Sequence, residues 1–286
     1  MNQEEKERLR AFIAASLQED IGEGDHTSLS TIPIGKLGEA QLIIKEQGIL
    51  AGMEEATAVF NQVDETLEIQ TFIGEGQQVG IGDIALLVKG SIHSILLAER
   101  LVLNILQRMS GIATVTHRIV DALAGTGTRV LDTRKTTPLL RFLEKKAVSI
   151  GGGVNHRFGL YDMILIKDNH VDYAGGIKEA VKKANRYRET LNKPMAIEVE
   201  VRNLDELRQV LDVGGVERIM LDNFNPSLVR DAVKLINGQC VTEASGGITE
   251  GNAREYAEAG VDYISMGTLT HSVKSLDMSL KAKLLD

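Results

Sequence analysis

Along the second half of the chain, short apolar runs recur at a nearly constant spacing. EVEV at Glu198, IMLD at Ile219, VTEA at Val241 and ISMG at Ile264 begin 21, 22 and 23 residues apart. The segments between them carry helix punctuation. Asn203 followed by Glu206 reads as a capping box, and Asn225 before Pro226 as an N-cap and first helical residue. Thr249 is the expected cap of the next helix, and Gly214, Gly238 and Gly260 fall where helices should stop. Upstream, TRVLD (128–132), AVSI (147–150) and YDMILIK (161–167) are further expected strands, making seven from Arg129 onward. Thr137-Pro138 repeats the N-cap and N1 signature and is expected to open a helix. Strands alternating with helices at this period predict a parallel βα barrel one strand short of eight.

The first 110 residues have a different rhythm. MNQEEKERLRAFIAASLQED predicts an amphipathic helix. EAQLIIKEQGILAG, LEIQTFIGEGQQV and DIALLVKGSIHSILLAER alternate and are punctuated by glycines, which predicts an antiparallel α+β domain. A boundary is expected near residues 105–115, inside NILQRMSGIATVTHR, read as a connecting helix.

Composition narrows the class. The 286 residues are 43% hydrophobic and 25% charged, ordinary for a globular protein with a sizeable core. No apolar run approaches the ~18 residues of a membrane helix, and the first residues are too charged for a signal peptide. Cys240 is the only cysteine, so neither an internal disulfide nor a cysteine-based zinc site can form. A cytoplasmic location is the expectation. The net charge of -8 argues against a nucleic-acid binder. Yet between Asp132 and His170 seven Lys/Arg face four Asp/Glu, a positive island suited to a small anion. Arg141, Lys145 and Lys146 are read as a solvated helix face and the other cations as functional.

In βα barrels the active site lies at the C-terminal ends of the strands. Those ends carry Asp132-Thr133-Arg134-Lys135, then GGGVNHRFG with His156 and Arg157, then Lys167-Asp168-Asn169-His170. Glu198 and Glu200, Asp222-Asn223, EASGGIT and MGTLTHS follow. Arg134 and Arg157 can each grip a carboxylate or phosphate through two prongs, and Lys135 and Lys167 add point charges. Glu200 and Asp222 are candidates to hold Mg²⁺ together with substrate phosphate oxygens. Ser245-Gly246-Gly247 offers bare backbone N–H groups at an expected helix start, and Gly267-Thr268 offers a second phosphate site. Of Glu198 and Glu200, the latter lies nearer the strand end and is preferred. His26, His93 and His117 lack metal-ligand spacing and read as structural or surface residues. A lysine ending a barrel strand also admits a Schiff-base aldolase acting through Lys167, and a non-catalytic anion carrier would keep the arginines.

LDTRKTTP, GGGVNHRFGLYDMILIKDNH, EVEV, LDNF, SGGI and GTLTHS, together with EDIGEGDHTS and LLAERLVLNILQRMSGIAT, occur in an order that resembles the quinolinate phosphoribosyltransferase family over nearly the whole chain. The resemblance implies an α/β fold: a seven-stranded open α/β barrel over 111–269 and an N-terminal α+β open-faced sandwich domain over 1–110. Residues 270–286 are expected to pack back on the latter. It further implies transfer of phosphoribose from phosphoribosyl pyrophosphate (PRPP) to quinolinate with Mg²⁺, giving nicotinate mononucleotide, pyrophosphate and CO₂ in NAD synthesis. A homodimer is implied, with Arg100 reaching the neighbouring subunit's site. The positions matching the family's quinolinate pocket are Arg134, Lys135, His156 and Arg157. Lys167, Glu200 and Asp222 match the groups around the phosphoribosyl, pyrophosphate and Mg²⁺. Ser245, Gly246, Gly247, Met266, Gly267 and Thr268 match the 5'-phosphate site, and Thr133 and Asp168 complete the expected substrate-binding set. Lys135, Lys167, Glu200 and Asp222 are the expected catalytic residues. A paralogous enzyme with another substrate remains an alternative, although paired arginines suit a dicarboxylate.

Overall fold

The structure is a computed structural model that describes residues 1–283. In chain order it begins with α1 (Gln3–Ile21), α2 (His26–Thr31), β1 (Leu37–Ile44), β2 (Gly48–Ile49), α3 (Met53–Val63) and β3 (Glu68–Thr71). Next come β4 (Gln78–Val79), β5 (Ile84–Ser91), α4 (Ile92–Ala122), β6 (Arg129–Leu131), α5 (Arg141–Ile150) and β7 (Ile164–Ile166). The chain continues with α6 (Asp168–Ala174), α7 (Ile177–Glu189), β8 (Ile197–Val201), α8 (Leu204–Val213), β9 (Arg218–Asp222) and α9 (Pro226–Ile236). It closes with β10 (Val241–Ser245), α10 (Ala253–Glu258), β11 (Tyr263–Ser265), α11 (Thr268–His271) and β12 (Met278–Lys283). Two compact units emerge. The first holds Met1–Val115, Pro138–Gly151 and the segment from Val273; the second holds Thr116–Thr137 and Gly152–Ser272.

In the first unit β12, β1, β5 and β3 form one antiparallel sheet in that order. Along β1 the inward positions Ala40, Leu42 and Ile44 are buried, the alternation a half-buried strand requires. Leu42 pairs with Leu280 of β12 and Leu86 of β5, which ties β12 onto the edge of the sheet beside β1. α1 starts at a capping box made by Asn2 and Glu5 and buries Leu9 and Ile13. Residues 284–286 of the segment expected to pack back lie outside the described residues.

Three expectations are corrected here. AVSI is the last turn of α5: Leu143, Glu144, Ala147 and Val148 are buried at helical spacing, so its apolar pair is a helix stripe and not a strand. IHSILLAER likewise belongs to α4, because β5 ends at Ser91. Arg141, Lys145 and Lys146 do not form a solvated face. None of the three is exposed, Lys145 is 2% exposed, and Lys146 Nζ donates to Glu54 Oε2 and Glu55 Oε1, both at 2.6 Å.

The second unit is built on a parallel sheet of order β6-β11-β10-β9-β8-β7. β6, first in sequence, lies beside β11, the last, so the order runs round a barrel. The seventh position is filled by Val154, which makes an isolated parallel bridge to Leu131. β7 pairs only with β8 among the described residues, and the barrel is open on that side. The missing strand pairing follows from GGGVN, whose glycines supply no side chains to pack on a pleated surface. Asn203 and Asn225 cap α8 and α9 as expected, each accepting a backbone N–H at 2.9 Å. Thr137-Pro138 does not open a helix: α5 begins three residues later, after Leu139 has taken φ 66°. Thr249 is not a cap either. Its own N–H is taken by Asn252 Oδ1 at 2.7 Å, and α10 starts at Ala253.

Candidate active site

Parallel strands all end at one rim, so residues far apart in sequence converge there. The second unit encloses a cavity of about 630 Å³ at these strand ends. Thr133, Arg134, Lys135, His156, Arg157, Lys167, Glu200, Asp222, Ser245–Gly247 and Met266–Thr268 all line it. Asp168, an expected substrate-binding residue, does not, and Arg100, expected to act in the neighbouring subunit's site, is not among them. Arg100 is an exposed residue of α4, in the first unit, and Asp168 is exposed at the start of α6, with Oδ1 accepting the Asn169 N–H at 2.7 Å. His26 and His117 are exposed, and His93 Nε2 lies 3.1 Å from the Ile32 carbonyl oxygen.

One side of the cavity is cationic. The loop after β6 is tied by the Lys135 N–H donating to Thr133 Oγ1 at 3.0 Å, and by Thr270 Oγ1 donating to the Lys135 carbonyl at 2.7 Å. Arg157 Nη1 donates to the Met163 carbonyl at 3.2 Å. Burial, and then the neighbouring Arg134 guanidinium, lower the pKa of Arg157 from its ordinary value. Two guanidiniums close enough to repel make a pocket that favours a ligand with more than one negative charge. His156 sits beneath them. Its backbone N–H donates to the buried Asp132 Oδ1 at 2.8 Å, and its ring Nδ1 accepts the Arg157 backbone N–H at 2.7 Å.

Acidic and glycine-rich residues complete the lining. Lys167 Nζ is ion-paired with Glu200 Oε2. Burial, and then the Glu200 carboxylate, raise the pKa of Asp222. Two carboxylates near enough to repel, both oxygen donors, are a fitting set for Mg²⁺, whose charge would relieve the repulsion. Asn223 takes φ 57°; its N–H donates to the Ser245 carbonyl at 2.8 Å and its Nδ2 to Asp222 Oδ2 at 2.7 Å. Gly246, at φ 93°, is needed there: a Cβ would stand 2.2 Å from Asn223 Oδ1. SGGI is therefore a turn and not the helix start expected, since α10 begins only at Ala253. Gly267 does lead directly into α11, and Lys135 Cδ crosses above it where a Cβ would be 2.9 Å away.

Asn223, Glu243, Ser265 and His271 also line the cavity and were not among the expected site residues. Glu243 had one legible signal, an acid inside the apolar run VTEA. Together with His156 and Glu198 it forms the one cluster of metal-site spacing among the described residues, with ligand atoms all within 4.8 Å of one another.

Comparisons with known proteins agree along the whole length. The pattern of the N-terminal domain of quinolinate phosphoribosyl transferase matches residues 25–110, and that of its C-terminal domain matches residues 112–281. The quinolinate phosphoribosyltransferase [decarboxylating] 1b of Nicotiana tabacum is 46% identical, over 96% of this chain and 82% of its own. The probable nicotinate-nucleotide pyrophosphorylase [carboxylating] of Bacillus subtilis is 44% identical, over 97% of this chain and 94% of its own. Among solved structures, NadC from Streptococcus pyogenes superposes with a TM-score of 0.92 at 38% identity, covering 98% of each chain. The nicotinate-nucleotide pyrophosphorylase from Francisella tularensis does so at 0.91 and 39%, covering 97% of each. The chain belongs to the quinolinate phosphoribosyltransferase family.

Proposed function

We propose that the protein transfers the phosphoribosyl group of PRPP to quinolinate with loss of CO₂, forming nicotinate mononucleotide and pyrophosphate for NAD synthesis. The observation that carries this reading is one cavity lined by two chemically opposed sets of residues. Arg134, Arg157 and Lys135 are its cations, and Glu200, Asp222 and the Ser245–Gly247 and Met266–Thr268 turns add acids and bare backbone N–H groups. A dicarboxylate fits the first set, because two planar guanidiniums can each grip one carboxylate. A phosphorylated sugar fits the second, with backbone N–H groups for its phosphate and carboxylates beside its ring.

In this mechanism the arginines and Lys135 orient quinolinate so that its ring nitrogen faces the ribose C1. Positive charge grows on that carbon as pyrophosphate leaves, and the Glu200 and Asp222 carboxylates stabilise it electrostatically. The bond to the carboxylate next to the nitrogen then breaks and CO₂ leaves. The electron pair stays on that ring carbon beside the positive pyridinium nitrogen, and a proton from solvent takes it up to give nicotinate mononucleotide. Glu200 and Asp222 would hold Mg²⁺, which would supply charge neutralisation for the pyrophosphate. A homodimer in which Arg100 completes the partner's site belongs to the same reading, as does a cytoplasmic location. Among the described residues no helix is long and apolar enough to cross a membrane. The ion pair of Lys167 with Glu200 weighs against the aldolase alternative, since a Schiff-base lysine must present a free amine lone pair.

The test is to mix the protein with quinolinate, PRPP and Mg²⁺ and follow nicotinate mononucleotide and CO₂ together. Equal appearance of both, absent with nicotinate as substrate, is expected. A folded protein that yields neither would overturn the reading.

A further inference from the structure

Two fully buried acids of the second unit have no part in the mechanism above. Glu198 on β8 and Glu243 on β10 are both 0% exposed. Arg218, on the intervening β9, reaches Glu243 Oε2 at 3.0 Å and lies over the Tyr263 ring, 4.9 Å from its centroid. Both carboxyl oxygens of Glu198 and Oε1 of Glu243 lack a hydrogen-bond donor, and His156 Nε2 stands close to them without a well-directed hydrogen bond. Such atoms are costly inside a protein unless a positive group or a proton stands against them. What stands against them is His156, whose Nε2 lies 2.9 Å from Glu198 Oε2 and 3.5 Å from Glu243 Oε2.

A divalent cation bridging all three groups and a proton on the imidazole are the two chemistries this spacing admits. The far edge of the ring decides between them. Nδ1 accepts the Arg157 N–H, so it carries no proton, and the neutral ring must bear its proton on Nε2. A proton on Nε2, 2.9 Å from Glu198 Oε2 and 3.5 Å from Glu243 Oε2, leaves no lone pair there for a metal. Metal ligation at Nε2 would put the proton on Nδ1 and break the bond to Arg157. Arg218 beside Glu243 adds positive charge that further opposes a cation.

We propose that Glu198 and Glu243 are positioning residues for the anion pocket. They hold the His156 ring by its Nε2–H edge; the ring's Nδ1 holds the Arg157 backbone, and the pair thereby sets where the Arg157 guanidinium stands. Asp132, accepting the His156 N–H, fixes the same turn from its other side.

The experiment uses the full-length protein with ¹⁵N-labelled histidine, a long-range ¹H–¹⁵N correlation of His156, and a metal analysis of the same sample. A neutral ring protonated at Nε2, with no bound metal, is expected. The Nε2–H signature is expected to be lost in Glu198→Ala and kept in Glu198→Gln, which retains an acceptor oxygen. The kinetic arm rests on the quinolinate reading. Glu198→Ala should raise the quinolinate KM about 10- to 100-fold, with the PRPP KM moving less than about threefold, and Glu198→Gln should recover most of the loss. An Nδ1–H ring or an imidazolium in the wild type would overturn the proposal. So would a stoichiometric metal lost with His156→Asn, or equal rises in both KM values. If the alanine variant does not fold, the wild-type spectrum and the glutamine variant's KM values still decide. A wild type inert toward quinolinate would sink the substrate reading, leaving the tautomer to judge the positioning role.

Discussion

Gly246→Ala is expected to damage PRPP use through a neighbour it does not replace. The new Cβ would lie 2.2 Å from Asn223 Oδ1, 2.8 Å from its Cγ and 3.0 Å from its backbone nitrogen. The amide can swing away and the backbone nitrogen cannot, so the side chain yields first. Swinging it removes the 2.7 Å bond from Nδ2 to Asp222 Oδ2, and a hydrogen bond to a charged group contributes about 1.5–3 kcal/mol. If that orientation is used in the transition state, kcat/KM for PRPP falls about 10- to 100-fold. Separately, an alanine held at φ 93° stores about 1–3 kcal/mol of backbone strain, which should lower Tm. The assay is steady-state kinetics with PRPP varied at saturating quinolinate, run on Gly246→Ala, Asn223→Ala and the double variant. Asn223→Ala removes the amide without the clash at Gly246, although an alanine at φ 57° carries strain of its own, so the double variant should be little worse in kcat/KM than Asn223→Ala alone. A Gly246→Ala enzyme within about twofold of wild type, or effects that simply add, would refute the reasoning.

Other perturbations address different parts of the chain. Glu144 is 0% exposed and receives Arg108 Nη2 at 2.7 Å and Nε at 3.2 Å; Arg108→Met should cost about 3–5 kcal/mol in urea unfolding, and a loss under about 1 kcal/mol would show the pair to be dispensable. Burial, and then Glu198, push Glu243 up from its ordinary 4.5 to about 7. The folded state thus keeps a proton the unfolded chain releases, so this group's stabilisation is complete below pH 4.5 and is lost as pH rises through 7. Tm measured across that window should fall less steeply in Glu243→Gln than in wild type; an unchanged or steeper slope would contradict the assignment. Chelation with EDTA should stop nicotinate mononucleotide formation and added Mg²⁺ restore it, whereas turnover persisting in EDTA would remove Glu200 and Asp222 from a metal role.

Much of the cavity was legible because a βα array converts sequence position into spatial position. Once the runs at Glu198, Ile219, Val241 and Ile264 are recognised as parallel strands, whatever follows each one must meet at a single rim. Arg134, Lys167, Asp222 and Gly267 were found that way. Where the reading failed, a local pattern admitted two answers. AVSI is apolar enough for a strand, and only the burial of Leu143 and Glu144 one turn earlier shows it to be a helix stripe. GGGVN gave no strand signal, yet Val154 occupies the seventh barrel position through one bridge to Leu131.

Local pattern, then, determined the period of the barrel, the caps at Asn203 and Asn225, and the charged residues at its strand ends. These depend on neighbours within a turn or two, where backbone geometry leaves few options. Tertiary structure alone decided that β12 pairs with β1, that α5 belongs to the first unit, and that Glu198 and Glu243 close on His156. Those partners are distant along the chain. What selects them is the shared burial of side chains once the strands have assembled, and no single stretch of sequence carries that information.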